Sequence, residues 1–164
     1  ALQAGADLVN DIWGFKFDKK TALMTAKYNA ACCLMHNKDE AVYNDFLEDM
    51  VSEMAECVKI ARESGVADDK IMLDPGVGFG KTYEMNLAAI NHVDVLHRLG
   101  FPILLGTSRK SVIGNTLNLP ADQRVEGTLA TTVIGVMKNC AFVRVHDIKE
   151  NKRIIQMTKA ILAH

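Results

Sequence analysis

The sequence predicts an α/β protein built as a partial TIM-type (β/α)8 barrel, with about five consecutive βα units. Three observations lead there. Short β-like runs alternate with long amphipathic stretches, the runs recur at a near-constant spacing, and each run ends in polar residues. Strands separated by a helix return in the same direction, which makes the sheet parallel. The first run opens at Ala6 and the fifth at Ala141, so each unit takes about 34 residues. A barrel of roughly 250 residues uses about 31 per unit. The expectation is five units, strands four to eight, of a barrel that needs eight.

The elements follow in order. The β-like runs are 6–12 (ADLVNDI), 30–35 (AACCLM), 70–73 (KIML), 102–105 (PILL) and 141–145 (AFVRV). A helix over 18–29 opens on Asp18 as N-cap. The next, 41–64, carries Phe46, Leu47, Met50, Met54, Cys57, Val58 and Ala61 at steps of three and four, and Gly65 ends it. Further helices are expected over 83–99, closed by Gly100, over 120–138 with Pro120 in the first turn, and over 151–162.

Composition narrows the functions. The 164 residues carry 19 Lys plus Arg against 20 Asp plus Glu, for a net charge of -1. No overall basic field exists to hold nucleic acid or an anionic membrane, so any anion site is local. No apolar stretch approaches a membrane span and no signal peptide is visible, which points to a cytoplasmic protein. Cys32, Cys33, Cys57 and Cys140 form no CxxC pair, and they read as small buried hydrophobes in a reducing compartment. The chain opens at Ala1 inside an apolar pattern without an initiator Met, which suggests a barrel whose N-terminal part is absent.

Barrel chemistry sits at the carboxyl ends of the strands. Here those ends carry Asn10 and Asp11, then His36 and Asn37, then Asp74 and the 75–81 loop, then 106–111, then Arg144, His146 and Asp147. Acid and amide on one side, with cations on the other, suit a ligand with a donor-rich ring and an anionic tail. Asp74 reads as a turn carboxylate before Pro75, or as a bidentate acceptor for an amidine-like ring edge. Asn10 could add an amide contact to the same ring. Gly80-Lys81-Thr82 imitates the end of a phosphate loop, but the first glycine position falls on Pro75. A tight turn that offers the ring face of Phe79 fits better. Ser108, Arg109, Lys110 and Ser111 read as an anion site or a solvated basic turn. Arg144 and His146 lie two apart on one strand and share a face. His36 could be a metal ligand, although no second His lies near it in sequence.

LDPGVGFGK (73–81), GTSRKSVIG (106–114) and RVHD (144–147), in this order, resemble the dihydropteroate synthase family. GADLVNDI (5–12) and CLMHNK (33–38) fit the same family. The corrinoid-dependent methyltransferases share the barrel and the early Asn and Asp, but they lack the Ser-Arg-Lys-Ser strand end. The resemblance implies that Asn10, Met35, Asp74 and Lys110 bind the pterin. It implies that Phe79, Ser108 and Lys110 meet p-aminobenzoate, and that Arg144 and His146 hold pyrophosphate. It implies Mg²⁺, bound through the pyrophosphate and a first strand absent from this chain, with no metal ligand among these residues. It also implies small-molecule substrates, neither nucleic acid nor membrane as partner, and a homodimer for the complete enzyme.

Overall fold

The computed structural model describes every residue, Ala1–His164, and has five strands and six helices, with at least one helix after every strand. They are β1 (Leu8–Asp11), α1 (Lys19–Lys27), β2 (Ala31–Met35), α2 (Phe46–Glu63), β3 (Ile71–Asp74), α3 (Tyr83–Asn91), β4 (Leu104–Leu105), α4 (Ser111–Leu117), α5 (Val125–Met137), β5 (Phe142–Val143) and α6 (Ile148–Leu162). All strand pairs are parallel. β1 pairs with β2 and β2 with β3, while β4 pairs with β5. One parallel bridge, Leu73 to Ile103, joins the two sheets into a single arc in chain order. Five βα units are present, as the sequence predicts.

Alternation along the strands sorts the side chains. Val9, Cys32, Leu34, Ile71, Leu73, Ile103 and Leu105 face the helices. There they meet Met50, Met54, Cys57, Val58 and Ala61 of α2 in one apolar core. The other face, concave in a barrel, carries Leu8, Asn10, Cys33, Met35, Met72 and Asp74, by register. On the two outer strands this face is open, with Leu8 40% and Phe142 49% exposed. All four cysteines are unpaired. Burial pushes the thiols of Cys32 and Cys33 up to about 12, so they are inert hydrophobes.

Several boundaries differ from the sequence reading: the strands are shorter, at Leu8–Asp11, Leu104–Leu105 and Phe142–Val143, and the last helix starts earlier, at Ile148. The long second helix begins at Phe46, because the Asp45 side chain accepts from the Leu47 and Glu48 amides and fixes the first turn there. The 83–99 stretch divides at His92 into α3 and a 3-10 segment, Val93–Leu99. Pro120 caps one 3-10 turn, Ala121–Gln123, and α5 starts only at Val125. One helix has no counterpart in the sequence reading: α4, only seven residues long, ended by Asn118 at φ +54°.

Candidate functional site

The β3–α3 loop is shaped by its own polar groups. Asp74 is 1% exposed at the end of β3, and its backbone oxygen accepts from the His36 amide at 2.9 Å. Its Oδ1 accepts from the Gly76 amide at 2.8 Å, so one carboxylate oxygen forms the turn and the other is left for a ligand. Gly76 has φ +68°, and a Cβ there would overlap the His36 carbonyl, so the sharp turn requires glycine. Burial pushes the Asp74 carboxyl up, against the opposing pull of the Gly76 amide, Lys110, Arg144 and Lys81.

Lys110 reaches this loop from the end of β4. Its Nζ donates to the Val77 carbonyl and lies 4.8 Å from the centre of the Phe79 ring. Burial pulls its ammonium down while Asp74 supports the charge. The segment that carries Lys110 is itself tied in place. Arg109 sits at φ +59°, and its amide donates to Thr128 Oγ1 at 3.1 Å. Arg124 donates to the carbonyls of Arg109 and Lys110 at 2.8 and 3.3 Å. The helix after it is too short to supply an anion site by its N-terminus, so the side chains must carry any such role.

Two contacts lock the ends of β4 and β5 together. Ser108 Oγ is 2.9 Å from His146 Nδ1 and accepts from the His146 amide at 3.2 Å. Arg109 pairs with Asp147 at 2.6 Å, and the guanidinium holds the Asp147 carboxyl below its usual range. Between them lies a cleft of about 80 Å³ lined by Gly106, Ser108, Lys110, Arg144 and His146. A Cβ on Gly106 would stand 3.1 Å from Arg144 Nη2 and 3.4 Å from Asp74 Oδ2, so glycine leaves room where acid and guanidinium converge.

Six of the residues singled out by sequence therefore converge: Asp74, Phe79, Ser108, Lys110, Arg144 and His146. Met35 pairs with Asp74 in register and is 2% exposed, so it floors the same face. Asn10 shares that face but stands on β1, the outer strand, and is exposed. Asp11 turns the other way and accepts from the Trp13 and Phe15 amides, a loop-forming role. His36 is held by Glu53 and Lys81, and no three His, Cys, Asp or Glu side chains cluster as metal ligands. Lys81 points inward at carbonyl groups rather than into an amide-lined nest, which overturns the phosphate-loop alternative. Arg124 is a further member that the sequence reading omits, since nothing near it in sequence marks it.

A parallel βα arc with acid, hydroxyl and cations gathered at the carboxyl ends of its strands defines a fold of the (β/α)8 barrel class, in partial form. Within that class the chain matches the family described as pterin binding enzyme over residues 1–146. It belongs to that family. It is 58% identical over 163 residues to the dihydropteroate synthase of Clostridium beijerinckii, covering 99% of this chain and 61% of that protein. It is 51% identical to the Bacillus subtilis dihydropteroate synthase, covering 57% of it. A crystal structure of the Clostridium difficile dihydropteroate synthase, obtained in the presence of pteroic acid, superposes with a TM-score of 0.95 at 46% identity. That match covers 98% of this chain and 61% of the other. A Yersinia pestis dihydropteroate synthase in complex with a sulfonamide drug gives 0.93 at 34%, covering 98% and 61%. The chain thus spans about three fifths of the length of these two curated relatives.

Proposed function

We propose that this chain forms strands four to eight of a dihydropteroate synthase, joining 6-hydroxymethyl-7,8-dihydropterin pyrophosphate to p-aminobenzoate. The observation that carries the reading is the convergence of Asp74, Lys110 and Arg144 around Gly106. In the reaction the arylamine nitrogen bonds to the pterin methylene, the methylene–oxygen bond breaks, pyrophosphate leaves and the amine gives up a proton. Asp74 offers a buried carboxylate oxygen to the N–H edge of the pterin, and Met35 packs beneath the ring. Asn10 completes the ring contacts from the concave face. Phe79 and the Lys110 ammonium take the aminobenzoate ring, and Ser108 meets its carboxylate. Arg144 and His146 stabilise the charge that grows on the leaving pyrophosphate.

Mg²⁺ prefers oxygen ligands. The cleft offers a hydroxyl beside two cations and an imidazole, which do not fit it. Any Mg²⁺ would be held by the pyrophosphate and by residues outside this chain. No helix here is long and apolar enough to cross a membrane. A cytoplasmic location and a homodimeric complete enzyme belong to the same proposal. The test is pyrophosphate release by the full-length protein supplied with both substrates and Mg²⁺. Release that requires the aminobenzoate supports the reading, and none with either substrate order would sink it.

A further inference from the structure

The Gly76–Gly80 loop is fastened from two sides, and only one side belongs to the site described above. Lys110 holds the Val77 carbonyl from the ligand side. From behind, Lys81 Nζ donates to the carbonyls of Gly76 at 3.0 Å and Phe79 at 2.9 Å. Its remaining bond runs to His36 Nδ1 at 2.8 Å. Burial pulls the Lys81 ammonium down to about 7, with Asp74 and Glu53 supporting its charge, and in the charged form its three protons are all placed.

With Lys81 charged, the third contact requires a lone pair on Nδ1, so the imidazole is neutral with its proton on Nε2. That proton faces Glu53 Oε2 at 3.0 Å, while Glu53 Oε1 accepts from Lys38 at 2.6 Å. His36 is 0% exposed, so its ring cannot turn to water for another partner. Burial and the neighbouring Lys81 charge push its imidazolium down to about 3, consistent with a neutral ring. Glu53 and His36 thus form an outer pair that aims Lys81, as a carboxylate aims a histidine in many sites.

We propose that Lys81, aimed by His36 and Glu53, is a positioning residue that sets the Phe79 ring for the aromatic amine substrate. The inference rests on the reading above that Phe79 receives that ring. The two substrates should respond differently. Asp74 is anchored by the sheet, through its register with Met35 and its bond from the His36 amide. Phe79 has no strand to hold it. It depends on the loop, where Asn86 takes the Gly78 amide, Tyr43 the Gly80 carbonyl and Lys110 the Val77 carbonyl, and where Lys81 alone holds the Phe79 carbonyl by a side chain.

The experiment uses the full-length protein with Lys81→Met, His36→Leu and His36→Asn. Asn keeps an oxygen near the place of Nδ1, and Leu does not. The first readout is amide hydrogen exchange. The Phe79 amide, bonded to the Gly76 carbonyl, should exchange about tenfold faster in Lys81→Met and His36→Leu, the scale of one lost charge-assisted bond. The amides of Ile71–Leu73 should hold, and His36→Asn should recover most of the protection. The second readout is kinetic. The KM for aminobenzoate should rise about tenfold in the first two variants, with the pterin KM within roughly threefold. Unchanged exchange at Phe79, equal damage from Asn and Leu, or equal shifts for both substrates would overturn the proposal. A wild-type protein without turnover would sink the synthase reading alone, and the exchange data would still decide whether Lys81 holds the loop. If Lys81→Met does not accumulate, the contrast between His36→Leu and His36→Asn decides the question by itself.

Discussion

In the proposed function single residues carry the substrate contacts, and the charged ones can be tested by removing one charge. Asp74→Asn keeps the shape but loses the ionised acceptor, so pterin binding should weaken by about 2–3 kcal/mol. Calorimetry with a pterin ligand on the full-length protein measures this, and unchanged affinity would remove Asp74 from the site. Arg144→Ala should weaken the pyrophosphate-bearing substrate while sparing free pterin, whereas Lys110→Ala should harm both substrates. Equal losses for the two pterins would show that Arg144 does something else. His36 makes a prediction about pH. Its folded value of about 3 lies below the ordinary 6.5. Between these values the unfolded chain binds the proton more readily, so stability falls as pH drops from about 6.5 towards 3. Urea midpoints of the wild type should fall more steeply over that window than those of His36→Asn. The strand-end residues were legible because barrel topology gives such positions a meaning before any contact is known. Lys81 was not, since its spacing imitated a phosphate loop and only its inward direction, at His36, reveals its partners.

Elements were legible in type more than in extent. The 83–99 stretch shows why. Val93 and Leu96 are both buried and three apart, a spacing that 3-10 and α geometry share, so periodicity could not detect the break at His92. The seven-residue α4 is too short to display a period at all, and its end is marked only by the left-handed Asn118. The start of α2 was readable in hindsight from Asp45. Asp45→Ala should cost about 1 kcal/mol, because the Leu47 and Glu48 amides lose their acceptor. Chemical denaturation checks this, and a loss near zero would mean that water replaces the cap. Gly76→Ala should do far more damage than Gly100→Ala. Both have positive φ, but only at Gly76 would the new Cβ overlap a neighbouring carbonyl.

At the scale of the whole molecule, five parallel strands form an arc and not a closed barrel. β1 and β5 each leave one edge unpaired, and the concave face is uncovered at Leu8 and Phe142. Residues Ala1–His164 expressed by themselves should therefore associate through those edges and release no measurable pyrophosphate. Losing even one preorganised contact can cost roughly 10²–10³ in rate. Turnover from a verified monomer of this length would contradict both the arc and the proposed share of the site. The unit count was legible because a βα repeat has a nearly fixed length. The tie between the two sheets, a single bridge at Leu73 and Ile103, has no counterpart in composition or periodicity.

The cross-ties between strand ends have a consequence for inheritance. Val77 is held by Lys110, Ser108 by His146 and Arg109 by Asp147, so one unbroken stretch of gene from Asp74 to Asp147 encodes both members of each of these three ties. Recombination with a diverged relative should pass this stretch on as a block. Crossovers before His36 or after Asp147 keep each partner with its own, His36 with Lys81 included. Crossovers between Val77 and Lys110, or between Arg109 and His146, join residues that were not selected together. A panel of chimaeras with junctions stepped along the gene would show the difference as a gap in function over those two intervals.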